Sequence, residues 1–149
     1  MDRQQLLNRI ETAWNAFSQS YAGLSDAALT EPGVAGEWSV KDLLSHVATW
    51  EEEALKAMPL VLAGKLRPRY GDIDRFNAQQ SALKGSLTLA EAHQEFAETH
   101  QRLLTYLESV PDSAFAGETR FRRKLRLDTY GHYPEHTEAI LTWRKANGL

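Results

Sequence analysis

Apolar residues return at three- and four-residue steps in four stretches of the chain, and almost nothing reads as a strand. The first stretch runs from about Asp2 to Tyr21, where Leu6, Ile10, Ala13 or Trp14, Phe17 and Tyr21 define one face of a helix. A turn-rich connection, LSDAALTEPGVAGEW, follows, with Pro32, Gly33 and Gly36 as breakers and Ser25 placed to cap a short helical turn. Ser39-Val40-Lys41-Asp42 then forms a capping box, with Asp42 at the positive end of a second helix that runs through DLLSHVATWEEEALKAM toward Pro59.

After Gly64 the segment KLRPRYGDIDRF reads as a long connection, and Asp74 to Leu83 as a short extra helix. Thr88-Leu89-Ala90-Glu91 is another capping box, opening a third long helix along Leu89, Ala92, Phe96, Leu103, Leu107 and Val110 until Pro111 stops it. A mixed stretch, PDSAFAGETRFRRKLRL, leads to the last helix, which carries Ile140 and Trp143 and ends at Asn147-Gly148. These elements predict an all-α fold, an antiparallel four-helix bundle forming one domain over residues 1–149, with the short additional helix between the second and third long ones. Some connections are longer than simple bundles use, so an up-down-up-down order is favoured but not forced.

Composition narrows what such a bundle could do. With 149 residues, 42% of them hydrophobic, the chain has material for one core. A net charge of −3 and an isoelectric point of 5.9 argue against a nucleic-acid partner, whose affinity would rest on many phosphate contacts. Cysteine is absent, so any metal site must be built from histidine and carboxylate. No signal-peptide-like or membrane-spanning apolar run is visible, which makes a soluble cytoplasmic protein without a membrane partner the expectation.

The candidate chemistry lies in the histidines. His46 shares a face of the second helix with Leu43, Val47 and Trp50, one turn after Asp42. Near the C-terminus, HYPEH places His132 and His136 four residues apart; if the backbone between them is helical they lie about 40° apart, on the inward face continued by Ile140 and Trp143. The same letters spell the H-x-x-E-H of inverted zinc peptidases, but those need a further acidic ligand, and Glu138 is the only acid after His136. Two readings of the three histidines stay open on spacing alone: hydrogen-bonded core residues, or metal ligands converging from two helices. Pro134 adds a geometric alternative. Either the last helix begins near Tyr133, with Pro134 in its first turn and His132 just outside, or it begins near Asp128 and kinks.

Other residues carry weaker indications. Glu135 is a candidate general base or imidazole partner, against a solvent-facing first-turn glutamate. Asp42 explains itself as a cap but stands one turn from His46. Tyr130 and Tyr133 could donate to a substrate, though packing is the commoner role for such rings. His93 and His100 read as exposed or edge residues. The run Arg120, Arg122, Arg123, Lys124 and Arg126 reads as a solvated segment offset by the acidic residues 51–53, or as a guide for an anionic substrate.

Two segments together carry a family resemblance: GEWSVKDLLSHVATWEEEAL on the second helix and GHYPEHTEAILTWRK on the last. They resemble the DinB/YfiT-like superfamily of four-helix-bundle proteins over essentially the whole chain, through a Trp-Ser/Thr-x-x-Asp/Glu helix start followed by a histidine and an H-x-x-x-H pair on the last helix. The resemblance implies a three-histidine metal site of His46, His132 and His136, a divalent zinc, nickel or iron ion, and a low-molecular-weight thiol as co-substrate in some members. GEWSVKDLL, Trp50, FNAQQSA and HYPEHTEAILTW are also similar to the ClbS/DfsB-like branch, in which a cyclopropane hydrolase detoxifies a genotoxin. The implied function is a metal-dependent hydrolase or thiol-dependent transferase acting on a small molecule. Its rival is a non-enzymatic sequestering protein with the same histidines in a metal-free core. Relatives often dimerise, and exposed Trp14 or Trp143 would favour a homodimer here.

Overall fold

The computed structural model describes residues 1–149, and its only elements are helices: α1 (Arg3–Ser20), α2 (Asp26–Leu29), α3 (Val40–Leu62), α4 (Ile73–Lys84), α5 (Leu89–Ser109), α6 (Arg120–Asp128) and α7 (Tyr133–Ala146), with a 3-10 turn at Asp112–Phe115. The four long predicted helices are α1, α3, α5 and α7, and the predicted extra helix is α4. Their starts follow from local chemistry. Asp2 accepts from the Gln5 amide and Ser39 from the Asp42 amide, each box closed by the reciprocal side-chain bond, while Thr88 and Thr119 cap α5 and α6 one-sidedly.

Helix α3 is the spine. It packs against α5 and α6 and more lightly against α4, while α7 lies along α1. Leu43, Leu44, Val47, Ala54 and Met58 of α3 join Leu6, Ile10 and Phe17 of α1, Phe96, Leu103 and Leu107 of α5, Leu125 of α6, and Ile140 and Trp143 of α7 in one core. Each fully buried large side chain there contributes about 1.5–3 kcal/mol. No helix is long and apolar enough to cross a membrane.

Three expectations change. Helix α3 does not stop at Pro59 but continues to Leu62: exposed Pro59 has no N–H to give the preceding turn, yet it stands close enough to the end that the helix runs on past it, until Gly64, at φ +72°, supplies the left-handed residue that ends it. The mixed stretch after Pro111 contains a real helix, α6, whose Phe121 and Leu125 reach the core. Trp143 is buried and Trp14 stacks on Phe96 and His100 at 4.8 and 4.2 Å, so neither ring supplies the exposed face on which a homodimer was expected.

Candidate metal centre and its cavity

The last helix begins at Tyr133, with His132 in its N-cap position and Pro134 in the first turn, where a missing N–H costs no helical bond. His132 therefore arrives from the link between α6 and α7, and that link is tight. The Gly131 amide donates to the Arg126 carbonyl at 2.8 Å and the His132 amide to the Thr129 carbonyl at 2.7 Å. A Cβ on Gly131 would meet the Arg126 carbonyl oxygen at 2.7 Å, so only glycine lets the chain turn this closely.

His46 projects from the second turn of α3 to meet this turn. His132 Nε2 lies 3.1 Å from His46 Nε2 and 2.9 Å from His136 Nε2, and the three ligand atoms fall within 4.8 Å of one another. Trp38, brought over by the tight turn Ala35–Trp38, stands against the His46 ring at 4.8 Å. Burial, then the neighbouring charges of His136 and Lys84, pushes His46 down to about 3; burial, then His136 and His46, pushes His132 down to about 2. Burial also lowers His136, opposed by the nearby Glu135 carboxylate. All three imidazoles are thus neutral at pH 7, with lone pairs to offer.

The arrangement is of a kind that fits a divalent cation. Neutral imidazoles also allow a hydrogen-bonded alternative, in which His132 Nε2 accepts an N–H from both His46 and His136. A cation takes all three lone pairs together; in tetrahedral coordination with bonds of about 2.1 Å, ligand nitrogens sit about 3.4 Å apart, against 3.1 and 2.9 Å for the two pairs that include His132 and a spread of up to 4.8 Å over the three. His132 Nδ1 is buried and has no protein partner, so no carboxylate fixes its tautomer from behind. Asp42 supplies no such contact to His46: its Oδ2 accepts from Ser39 at 2.9 Å and the residue is a cap.

A cavity of about 590 Å³ opens beside the histidines, walled by Trp50, Tyr70, Asn77 and Lys124. The Trp50 indole N–H donates to Asn77 Oδ1 at 2.9 Å, and Tyr70 O–H donates to Glu53 at 3.0 Å. Lys124 is buried and pairs with Asp128 at 2.8 Å; burial, opposed chiefly by Lys124, still raises Asp128 to about 6. Glu135 is exposed on a rim that this cavity shares with a second one, of about 550 Å³, on the Trp38 side.

Several sequence assignments do not survive. His100 is buried rather than at an edge: its Nδ1 lies 3.0 Å from Glu51 and its Nε2 2.8 Å from Glu11, because α1 and α3 close over that face of α5. His93 is half-buried beside Tyr21. Residues 51–53 are not a solvated acidic run, since Glu51 and Glu53 are buried. In the basic run, Arg122 and Lys124 are buried and Arg126 pairs with Glu118, leaving Arg120 and Arg123 exposed. The tyrosines keep the packing role that was the commoner reading: Tyr133 is fully buried and donates to Glu51 at 2.6 Å, Tyr130 packs under Arg9, and neither ring lines the cavity. Tyr70, Asn77 and Asp128 line the cavity without a sequence expectation, while Lys124, from the basic run for which a guide for an anion is one reading, does reach it; the i, i+4 pair Lys124–Asp128 one turn before HYPEH was the available signal.

The sequence pattern of the DinB superfamily matches residues 9–139. No curated protein sequence matches the chain. Among solved structures, the chain is similar to the sibling lethal factor precursor DfsB, with a TM-score of 0.81 at 13% identity over 99% of this chain and 97% of the other. It is similar to the colibactin self-resistance protein ClbS in complex with double-stranded DNA, with a TM-score of 0.80 at 16% identity over 97% and 96%. An uncharacterised protein of Escherichia coli UTI89 gives a TM-score of 0.81 at 14% identity over 99% and 95%. At these identities the likeness is one of fold. It also corrects an expectation: a relative of this fold is found on DNA, so the exclusion of nucleic acid from a net charge of −3 does not stand. Whole-chain charge was the wrong scale, because a slightly acidic protein can still present a local basic rim, as Arg67 and Arg69 do here.

Proposed function

The chain belongs to the DinB superfamily, and from that premise we propose that it is a metal-dependent enzyme acting on a small molecule, with His46, His132 and His136 as the metal ligands. The supporting observation is the approach of three neutral Nε2 atoms within 4.8 Å of one another at the edge of a cavity. A divalent zinc, nickel or iron ion held there supplies Lewis acidity and lowers the pKa of a bound water or low-molecular-weight thiol, which suits hydrolysis or thiol transfer.

The remaining work falls to the chain itself. Trp50, buried and anchored by Asn77, backs the cavity one helical turn from His46, and the half-buried Tyr70 ring lines it toward the substrate. Burial keeps the imidazoles neutral, so no proton has to leave them before a cation binds. Glu135, exposed beside His136 on the cavity rim, would accept the proton of the attacking nucleophile. Glu135→Gln should then lower kcat by about 10²–10⁴-fold and leave metal content unchanged.

Elemental analysis of protein purified without a histidine tag tests the metal directly. Stoichiometric metal, lost in His46→Ala and His136→Ala, is expected. Protein that stays metal-free after replenishment would leave the sequestering role, with the histidines as hydrogen-bonded core residues. Metal that survives both substitutions would place the site elsewhere.

A further inference from the structure

The two cavities that meet at His46 and His136 differ in charge. Arg67 and Arg69 stand exposed on the rim of the larger one, and neither forms an ion pair with any carboxylate of the chain. Its third cation, Lys124, is already matched by Asp128 at 2.8 Å. The smaller cavity carries Glu37 and Asp74 besides the shared Glu135, and no lysine or arginine. An anion is therefore drawn to one side of the histidines and repelled from the other.

The walls of the larger cavity are as specific as its rim. Trp50 is buried, its indole N–H held by Asn77 and its ring packed against Tyr70 and Phe76, so the aromatic surface left toward the cavity is chiefly that of the half-buried Tyr70, whose O–H is taken up by Glu53. In the same lining, Ile73 and Leu127 remain 45% and 61% exposed. Unpaired guanidiniums together with the Tyr70 ring and exposed apolar side chains suit a ligand with one anionic end and a flat apolar body.

We propose that the Arg67 side of the site binds a small organic carboxylate on a planar apolar body, the carboxylate held by Arg67 and Arg69 and the body laid against Tyr70, Ile73 and Leu127. This names the substrate class of the function proposed above, and rests on that function only in taking the far end of the ligand to the three histidines.

Calorimetric titration of the full-length protein with 2-naphthoate and with uncharged 2-naphthamide tests the proposal. Naphthoate should bind at least about tenfold more tightly, the scale of one charge-assisted contact at an exposed site. R67Q/R69Q should abolish that preference and leave naphthamide binding and the circular dichroism spectrum unchanged, since both arginines are exposed. Equal affinity for the two ligands, no naphthoate binding, or naphthoate binding indifferent to R67Q/R69Q overturns the proposal. A DNA duplex that displaces naphthoate and depends on both arginines also overturns it, assigning them to a nucleic-acid contact. Repeating the titration on chelator-treated protein and on His46→Ala separates this site from the metal: a naphthoate preference that persists there supports the carboxylate site even if elemental analysis finds no metal.

Discussion

His100 lies between two carboxylates, Glu51 on one ring nitrogen and Glu11 on the other, with the Trp14 ring stacked at 4.2 Å. Burial alone would lower its pKa, but the hydrogen bonds and charges of Glu51 and Glu11 together outweigh burial and hold it above its ordinary 6.5. A histidine whose folded pKa is raised contributes stability that is complete below about pH 6.5 and is lost as pH rises through the folded value. The melting temperature of the wild type should therefore fall from pH 6 toward alkaline pH more steeply than that of His100→Gln, as followed by circular dichroism. His100→Ala should cost about 3–5 kcal/mol in chemical denaturation, because Glu51 would be left buried without its cationic partner. Tyr133→Phe should cost less, about 1–3 kcal/mol, by removing one donor from the same carboxylate. None of this cluster was legible in the sequence. Glu51 sits in a run of three glutamates that reads as solvated, and only the closing of α1 and α3 over α5 turns it inward.

The α6–α7 turn shows what local signals do and do not reveal. Pro134 was recognisable as a first-turn proline, and one of the two alternatives for His132, entry from just outside the helix, is the one found. Helix α6 escaped notice because RFRRKLRLD is dominated by charge, and its apolar stripe is only Phe121 and Leu125; its Lys124 and Asp128 are buried by pairing rather than by hydrophobicity. The decisive residue is Gly131, whose need for close approach to the Arg126 carbonyl has no sequence signature. Gly131→Ala should push the backbone off the end of α6, costing about 1–3 kcal/mol, and move His132 away from its two partners. Weaker metal retention in a chelator competition, with His46 and His136 intact, is the expected result. Pro134→Ala touches the same turn but removes no hydrogen bond, and should stay within about 1 kcal/mol of wild type with metal retention unchanged.

At the scale of the whole molecule, the bundle joins groups 86 residues apart in sequence, since His46 and His132 meet only because α3 runs under the α6–α7 turn. The fold class and the meeting of the three histidines were legible because the long helices keep clean apolar stripes and because the histidine pattern resembles a family. The cavity was not, because its walls come from the 67–71 connection, α4 and α6, whose residues carry no periodicity that points to one another. With this long-range closure, a metal bound as proposed would stabilise the whole fold. A cation binding the three assembled nitrogens tightly has no comparable site in the unfolded chain, so its binding adds RT ln(1 + [M]/Kd), about 2.7 kcal/mol at a hundredfold excess over Kd. For a domain of 149 residues, each kcal/mol moves the melting temperature by about 2–4 °C, giving an expected rise of roughly 5–11 °C on loading chelator-stripped protein. The rise should vanish in His46→Ala and persist in R67Q/R69Q, whose arginines lie on the rim. A melting temperature that does not respond to zinc, nickel or iron would show that the three imidazoles stabilise one another without an ion.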